Sequence, residues 1–233
     1  LPFAITKKDF RLNPQCRKFL KIGLPLALQE FLTQISFLAL CAFVNRLGLE
    51  ASSGYGVACK IVNFAMLVPS SLMQSMASFV SQNIGAGKKK RAKQSMFTGI
   101  GVGLAVGCVV FVLVLFKGDV LCSAFSTDAA VIQNGFAYLK GFAPETLVTA
   151  ILFSMVGYFN GHDKTLWVMI QGLAQTLLVR LPLAYYMSIL PDTNLTKIGL
   201  AAPVATVLQM CRLIRKFCYR CVGLSESFIT DAS

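Results

Sequence analysis

The chain has 233 residues, 55% of them hydrophobic and 14% charged, with a mean hydropathy of +0.66 and a net charge of +12. Soluble chains carry about 25% charged residues, so this composition excludes an ordinary water-soluble domain and favours a protein embedded in a membrane. The positive charge does not imply nucleic acid, because the basic residues gather in short loops beside apolar runs, without a groove-binding motif or an aromatic stacking platform.

Residues 1–21 form a basic N-terminal segment that holds Lys7, Lys8, Arg11, Arg17, Lys18 and Lys21 and leads into the first apolar span, Ile22 to Val44. About 20 apolar residues cover the ~30 Å hydrocarbon core of a bilayer. Within this span Glu30, Thr33 and Gln34 follow the i, i+3, i+4 spacing and share one helix face, while Phe31, Leu32 and Ile35 point elsewhere. The second span, Ile61 to Val80, and the third, Ser95 to Phe116, contain no charged residue. Ser71, Gln74, Ser75 and Ser78 make a polar stripe on the second, and Gly99, Gly103 and Gly107 make a ridge on the third that lets another helix approach. The fourth span, Gly141 to Phe159, carries Glu145 directly after Pro144. The fifth, Leu166 to Leu190, has Gln171 and Gln175 one turn apart and Arg180 near its outer half. The sixth runs from Ile198 towards Cys211 and is cut short by Arg212, Arg215 and Lys216.

The expected fold is therefore an all-α polytopic membrane protein, a six-helix bundle over residues 22–216 with an atypical tail at 217–233. Prolines at 25, 69, 182 and 203 lie inside spans, each removing a backbone donor and allowing a kink. Basic residues alternate between loops: Lys88, Lys89, Lys90, Arg91 and Lys93 follow the second span, Lys164 the fourth and Arg220 the sixth, whereas the other loops hold Arg46, Lys117 and Lys197. Positive loops stay on the cytoplasmic side, which puts both termini of a multi-pass cell-membrane protein in the cytoplasm.

The stretch "SQNIGAGKKKRAKQ", Ser81 to Gln94, has the look of a phosphate cradle, but the Walker A pattern needs glycine where Gln82 stands and Ser or Thr where Lys89 stands. It reads instead as a loop between two spans. Of the eight cysteines most sit in or beside spans, Cys218 and Cys221 form a CxxC with no histidine nearby, and His162 shares a loop with Asp163, so neither metal nor cofactor is expected. The chain starts at Leu1 without methionine or a signal-peptide pattern and reads as a piece of a longer protein.

A carboxylate at the bilayer centre costs about 3 kcal/mol and usually faces a cavity or a partner. Glu30 and Glu145 are the candidates, with Thr33, Gln34, Gln171 and Gln175 on polar faces beside them. Such polar faces serve either a transport pathway or hydrogen bonding between packed helices, which leaves a transporter and a non-transporting scaffold subunit both open.

The run "PSSLMQSMASFVSQNIGAGKKKRAKQ", Pro69 to Gln94, resembles the C-terminal half of MATE transporters, the multidrug and toxic compound extrusion family, where a Q-N-x-G-A-G segment leads into basic residues. "GLPLALQEF" at Gly23 to Phe31 and "GYFNGHDKT" at Gly157 to Thr165 resemble further family segments, and the similarity spans roughly Lys18 to Gln209. The resemblance implies one lobe of a twelve-helix antiporter, in which Na⁺ or H⁺ entry drives export of small organic, often cationic, compounds and the partner is an N-terminal lobe outside this sequence. It also implies cation coupling at acids on the first and fourth helices of the lobe. Glu30 is the stronger counterpart and Glu145 the weaker, although in some members the first acid comes about one turn later, where Thr33 stands. A lipid-linked flippase of the same superfamily is an alternative that basic cavity residues would favour, and Lys60, Lys140 and Arg180 lie within or near spans.

Overall fold

Inside a bilayer a segment must satisfy its own backbone hydrogen bonds, which helices do. The computed structural model describes the backbone of residues 14–190 and 193–230 and the side chains of 20, 23–25, 27–190 and 193–217. Lys7, Lys8, Arg11, the side chains of Arg17, Lys18 and Lys21, those of Cys218, Arg220 and Cys221, and the end of the tail lie outside what is described. The helices are α1 (Pro14–Val44), α2 (Leu49–Gly85), α3 (Lys89–Ser123), α4 (Ala129–Asn160), α5 (Thr165–Gln175), α6 (Leu181–Ile189) and α7 (Leu195–Thr230). A 3-10 turn at Asn45–Leu47 follows α1, and a π-helical segment at Thr176–Arg180 joins α5 to α6 into one span. Among the described residues, six stretches are long and apolar enough to cross a membrane, the last ending at Phe217. The protein is an all-helical, multi-pass membrane protein.

The helices outrun the apolar stretches that reveal them. α4 starts at Ala129, not near Gly141, because Asp128 caps it: the carboxylate Oδ1 accepts from the backbone N–H of Ala130 at 2.8 Å. Lys140, five residues before Glu145, is exposed and keeps its ammonium over the Phe136 ring at 4.1 Å, so a charge within the helix is tolerated on its outer surface. α1 likewise begins within the segment expected to be a linker, and the backbone of α7 continues past Arg212, Arg215 and Lys216. The fifth span is not a continuous α-helix. Pro182, which has no N–H to donate, stands two residues past the end of the π segment.

The glycines of the loop between α2 and α3 have a local role. Gly87 takes φ +75°, Lys88 N–H donates to Asn83 O at 2.8 Å and Gly87 N–H to Ile84 O at 3.0 Å. These two bonds and the left-handed residue are a Schellman end to α2, which explains glycine at 87 without any phosphate.

α4 is the central post. In its most apolar stretch 67% of residues are buried, against 22% in α3. It packs on α2, α3 and α7 through small residues. The ridge expected on α3 meets it as a close backbone contact, since a Cβ on Gly107 would lie 3.0 Å from Thr146 O and one on Gly103 3.4 Å from Ala150 O. Large apolar side chains such as Phe31, Leu38, Phe64, Val109, Phe116 and Leu178 point outward, as expected where lipid rather than water is the solvent.

Candidate functional site

A cavity of about 250 Å³ opens among α1, α2, α4, the fifth span and α7. α1 contributes Gln29, Glu30, Thr33, Gln34 and Phe37, the polar face read from the spacing plus its neighbours on either side. α4 contributes Phe142, Glu145, Thr149, Leu152, Phe153 and Val156; the fifth span Gly172, Gln175, Thr176 and Arg180; α7 Thr206 and Gln209.

The polar stripe expected on α2 does not take part. Ser71, Gln74, Ser75 and Ser78 are all exposed on the outer surface of the bundle, and α2 instead presents Val62, Asn63, Met66, Ser70 and Met73 to the cavity. A serine in a helix can satisfy its own hydroxyl, as Ser71 does by donating to Leu67 O at 2.9 Å, so serine periodicity does not identify a cavity face. Gln171 also falls outside the lining. It precedes Gly172 by one residue, about 100° around the helix, and its Oε1 is buried without a hydrogen-bond partner among the described residues.

Glu145 is the better held of the two acids. Gln175 Nε2 donates to Thr206 Oγ1 at 3.2 Å, and Thr206 Oγ1 donates to Glu145 Oε1 at 2.8 Å. The relay ties three spans together and fixes one oxygen of the carboxylate, while Oε2 is buried with no hydrogen-bond partner among the described residues. An unpaired buried polar atom costs about 1–3 kcal/mol, so a cation or a donor placed beside Oε2 would recover that cost. Glu30 sits differently: it is exposed within this bundle, at the mouth of the cavity, and its Oε1 accepts from Gln34 Nε2 at 3.0 Å. Thr33 turns its hydroxyl back onto Gln29 O at 2.8 Å.

Arg180 is the charged lining residue missing from the site candidates read in the sequence. It is 8% exposed, with its guanidinium carbon 4.3 Å from the centre of the Phe37 ring. The signal was present: it is the one basic residue within Leu166 to Leu190, two positions before a proline. Among the described residues, no group of three His, Cys, Asp or Glu side chains comes together. Any cation held here would use one carboxylate with amide and hydroxyl oxygens.

Helices of this length around an inner cavity lined by two acids, an arginine and several amides define a membrane bundle with a polar interior. The MatE family model matches residues 25–186, and the chain belongs to that family. The FAD transporter of Shewanella oneidensis is 24% identical over 201 residues, 85% of this chain and 44% of the relative. A probable multidrug resistance protein NorM of Bacillus thuringiensis subsp. konkukian is 26% identical over 199 residues, 82% of this chain and 42% of the relative. The chain thus spans somewhat under half the length of the curated relatives it matches. The fold is similar to a crystal structure of a MATE in complex with MaL6, with a TM-score of 0.84 at 14% identity over 96% of this chain and 51% of that one. These relatives carry the names of transporters and resistance proteins, not enzymes, and they favour neither a lipid-linked flippase nor a scaffold.

Proposed function

We propose that this chain is one six-helix half of a secondary antiporter in the cell membrane, which exports small organic, often cationic, compounds in exchange for Na⁺ or H⁺. The observation that carries this proposal is the convergence of Glu30 and Glu145, from two different spans, on one cavity. A single cavity whose carboxylates take either the coupling ion or the cationic end of a substrate is sufficient for exchange, provided that the cavity opens to one side of the membrane at a time. The second half, a further six-helix lobe, would close the open side of the cavity and supply the other wall. No cofactor is needed beyond the coupling ion.

The test is a proteoliposome containing the intact transporter, loaded with a fluorescent cationic dye. An opposing Na⁺ or H⁺ gradient is expected to drive the dye out against its own gradient, and downhill dye movement should carry the ion the other way. Dye release at the same rate with and without either gradient would refute antiport.

Orientation gives a separate expectation. The loop at Lys88–Lys93 carries five basic residues, and positive loops face the cytoplasm. Single cysteines placed at 47–53 and 191–196 should react with an impermeant maleimide added outside intact cells, while those at 85–92 should be spared. Labelling of 85–92 from outside would reverse the assignment of both termini to the cytoplasm.

A further inference from the structure

Arg180 is, among the described residues, the basic side chain lining the cavity, and nothing in the exchange of a cation for an ion requires it. A buried guanidinium is retained at a high desolvation cost, so what its donors face is informative. The group offers five N–H donors in a fixed plane. One face of that plane lies over Phe37, and the Tyr138 hydroxyl approaches the group as well. Nε and Nη2 are buried and have no hydrogen-bond partner among the described residues. These two nitrogens share one edge of the guanidinium, and their N–H bonds run parallel, which is the side-on fork that matches the two oxygens of a carboxylate. Glu145 does not fill the fork: the two side chains form no ion pair, Oε1 of the acid is bonded to Thr206, and Oε2 is itself without a partner.

We propose that the Nε and Nη2 edge of Arg180 binds a carboxylate carried by the transported compound, so that the cavity selects amphoteric molecules whose cationic end goes to Glu145 or Glu30. The π segment supports this assignment. A π bulge inserts an extra residue into the helical repeat, and here the bulge ends at Arg180, whose side chain joins Gln175 and Thr176 on the lining. The cavity that holds the fork also suits an organic body rather than a bare inorganic anion, since Phe37, Phe142, Phe153, Met66 and Met73 line it. The two ends of such a substrate act differently. The cationic end competes with the coupling ion for a carboxylate, whereas the anionic end binds where that ion has no place, so it adds affinity without interfering with exchange.

This inference rests on the transport reading, and its test separates the two. Rhodamine 110 carries a free carboxylate, and rhodamine 123 is its methyl ester and purely cationic. Binding of each to the intact transporter in nanodiscs is read by fluorescence anisotropy with no ion gradient. Arg180→Gln is expected to raise the Kd of rhodamine 110 at least about tenfold, the scale of a lost charge-assisted bond, and to leave that of rhodamine 123 within about twofold. Arg180→Lys keeps the charge but not the fork, so it should fall between; it carries the test alone if Arg180→Gln does not fold. Equal losses for both dyes, unchanged binding of both, or no binding of rhodamine 110 by the parent protein would overturn the subsite. Selective loss of the carboxylate dye in a protein that exchanges neither dye for an ion would keep the subsite and discard the antiporter.

Discussion

Glu145→Gln is expected to lower gradient-driven dye efflux to the rate seen without a gradient, with the protein still inserted in normal amount. Glutamine keeps the size of the side chain, and its carbonyl can still accept from Thr206 Oγ1, so the relay from Gln175 through Thr206 survives. What is lost is the negative charge at Oε2, an oxygen without a hydrogen-bond partner among the described residues. A charge-assisted contact of about 2 kcal/mol corresponds to roughly 30-fold in ion affinity. Glu30→Gln should reduce efflux less, because Glu30 is exposed at the mouth of the cavity and already shares an oxygen with Gln34. This order reverses the ranking drawn from the sequence, in which Glu30 came first. Thr206→Val, which removes the donor to Oε1 and leaves the charge, should fall between the two. Parent-level efflux from a well-inserted Glu145→Gln protein would move the coupling site to Glu30 or to the other half of the transporter.

The sequence made the two acids and the face of α1 legible for a simple reason. A charge in an apolar span stands out, and a polar face on a single helix follows from 3.6-residue spacing alone, so Glu30, Thr33 and Gln34 could be placed without knowing any neighbour. The relay could not be placed that way. Thr206 lies 61 residues from Glu145 and 31 from Gln175, and a threonine in an apolar span gives no sign of which helix it will meet. Arg180 was visible as a charge but not as a lining residue, since its direction depends on the π segment, which a regular helical projection does not contain. The stripe on α2 shows the opposite failure: the spacing was regular, yet all four residues lie outside. Spacing tells which residues share a face; which face turns inward is decided by the packing of α2 on α4.

That packing is severe enough to give the other large effect. Gly141→Leu should prevent α4 and α7 from closing and leave little or no folded protein after detergent extraction. A Cβ at Gly141 would fall on the backbone carbonyl of Thr196 and 3.2 Å from Gly199 Cα, and one at Gly199 would fall 2.6 Å from Tyr138 O. Backbone atoms cannot move aside as a flexible side chain can, so the cost should reach or exceed the roughly 1–3 kcal/mol of ordinary overpacking. The same crossing carries the Thr196 hydroxyl bond to Ala137 O at 2.8 Å, and Glu145 lies one turn beyond Gly141. Gly141→Ala should therefore leave folded protein but separate the helices enough to weaken the Thr206 bond to Glu145, lowering efflux more than thermal stability. Gly101→Leu is the control: the same change on α3, at an exposed position where an added Cβ meets nothing within 4 Å, should leave both properties unchanged. Fluorescence-detected gel filtration across a temperature series reads the comparison. If Gly141→Leu melts with the parent, α4 and α7 do not cross as closely as these backbones do, and the support for Glu145 from Thr206 falls with that contact.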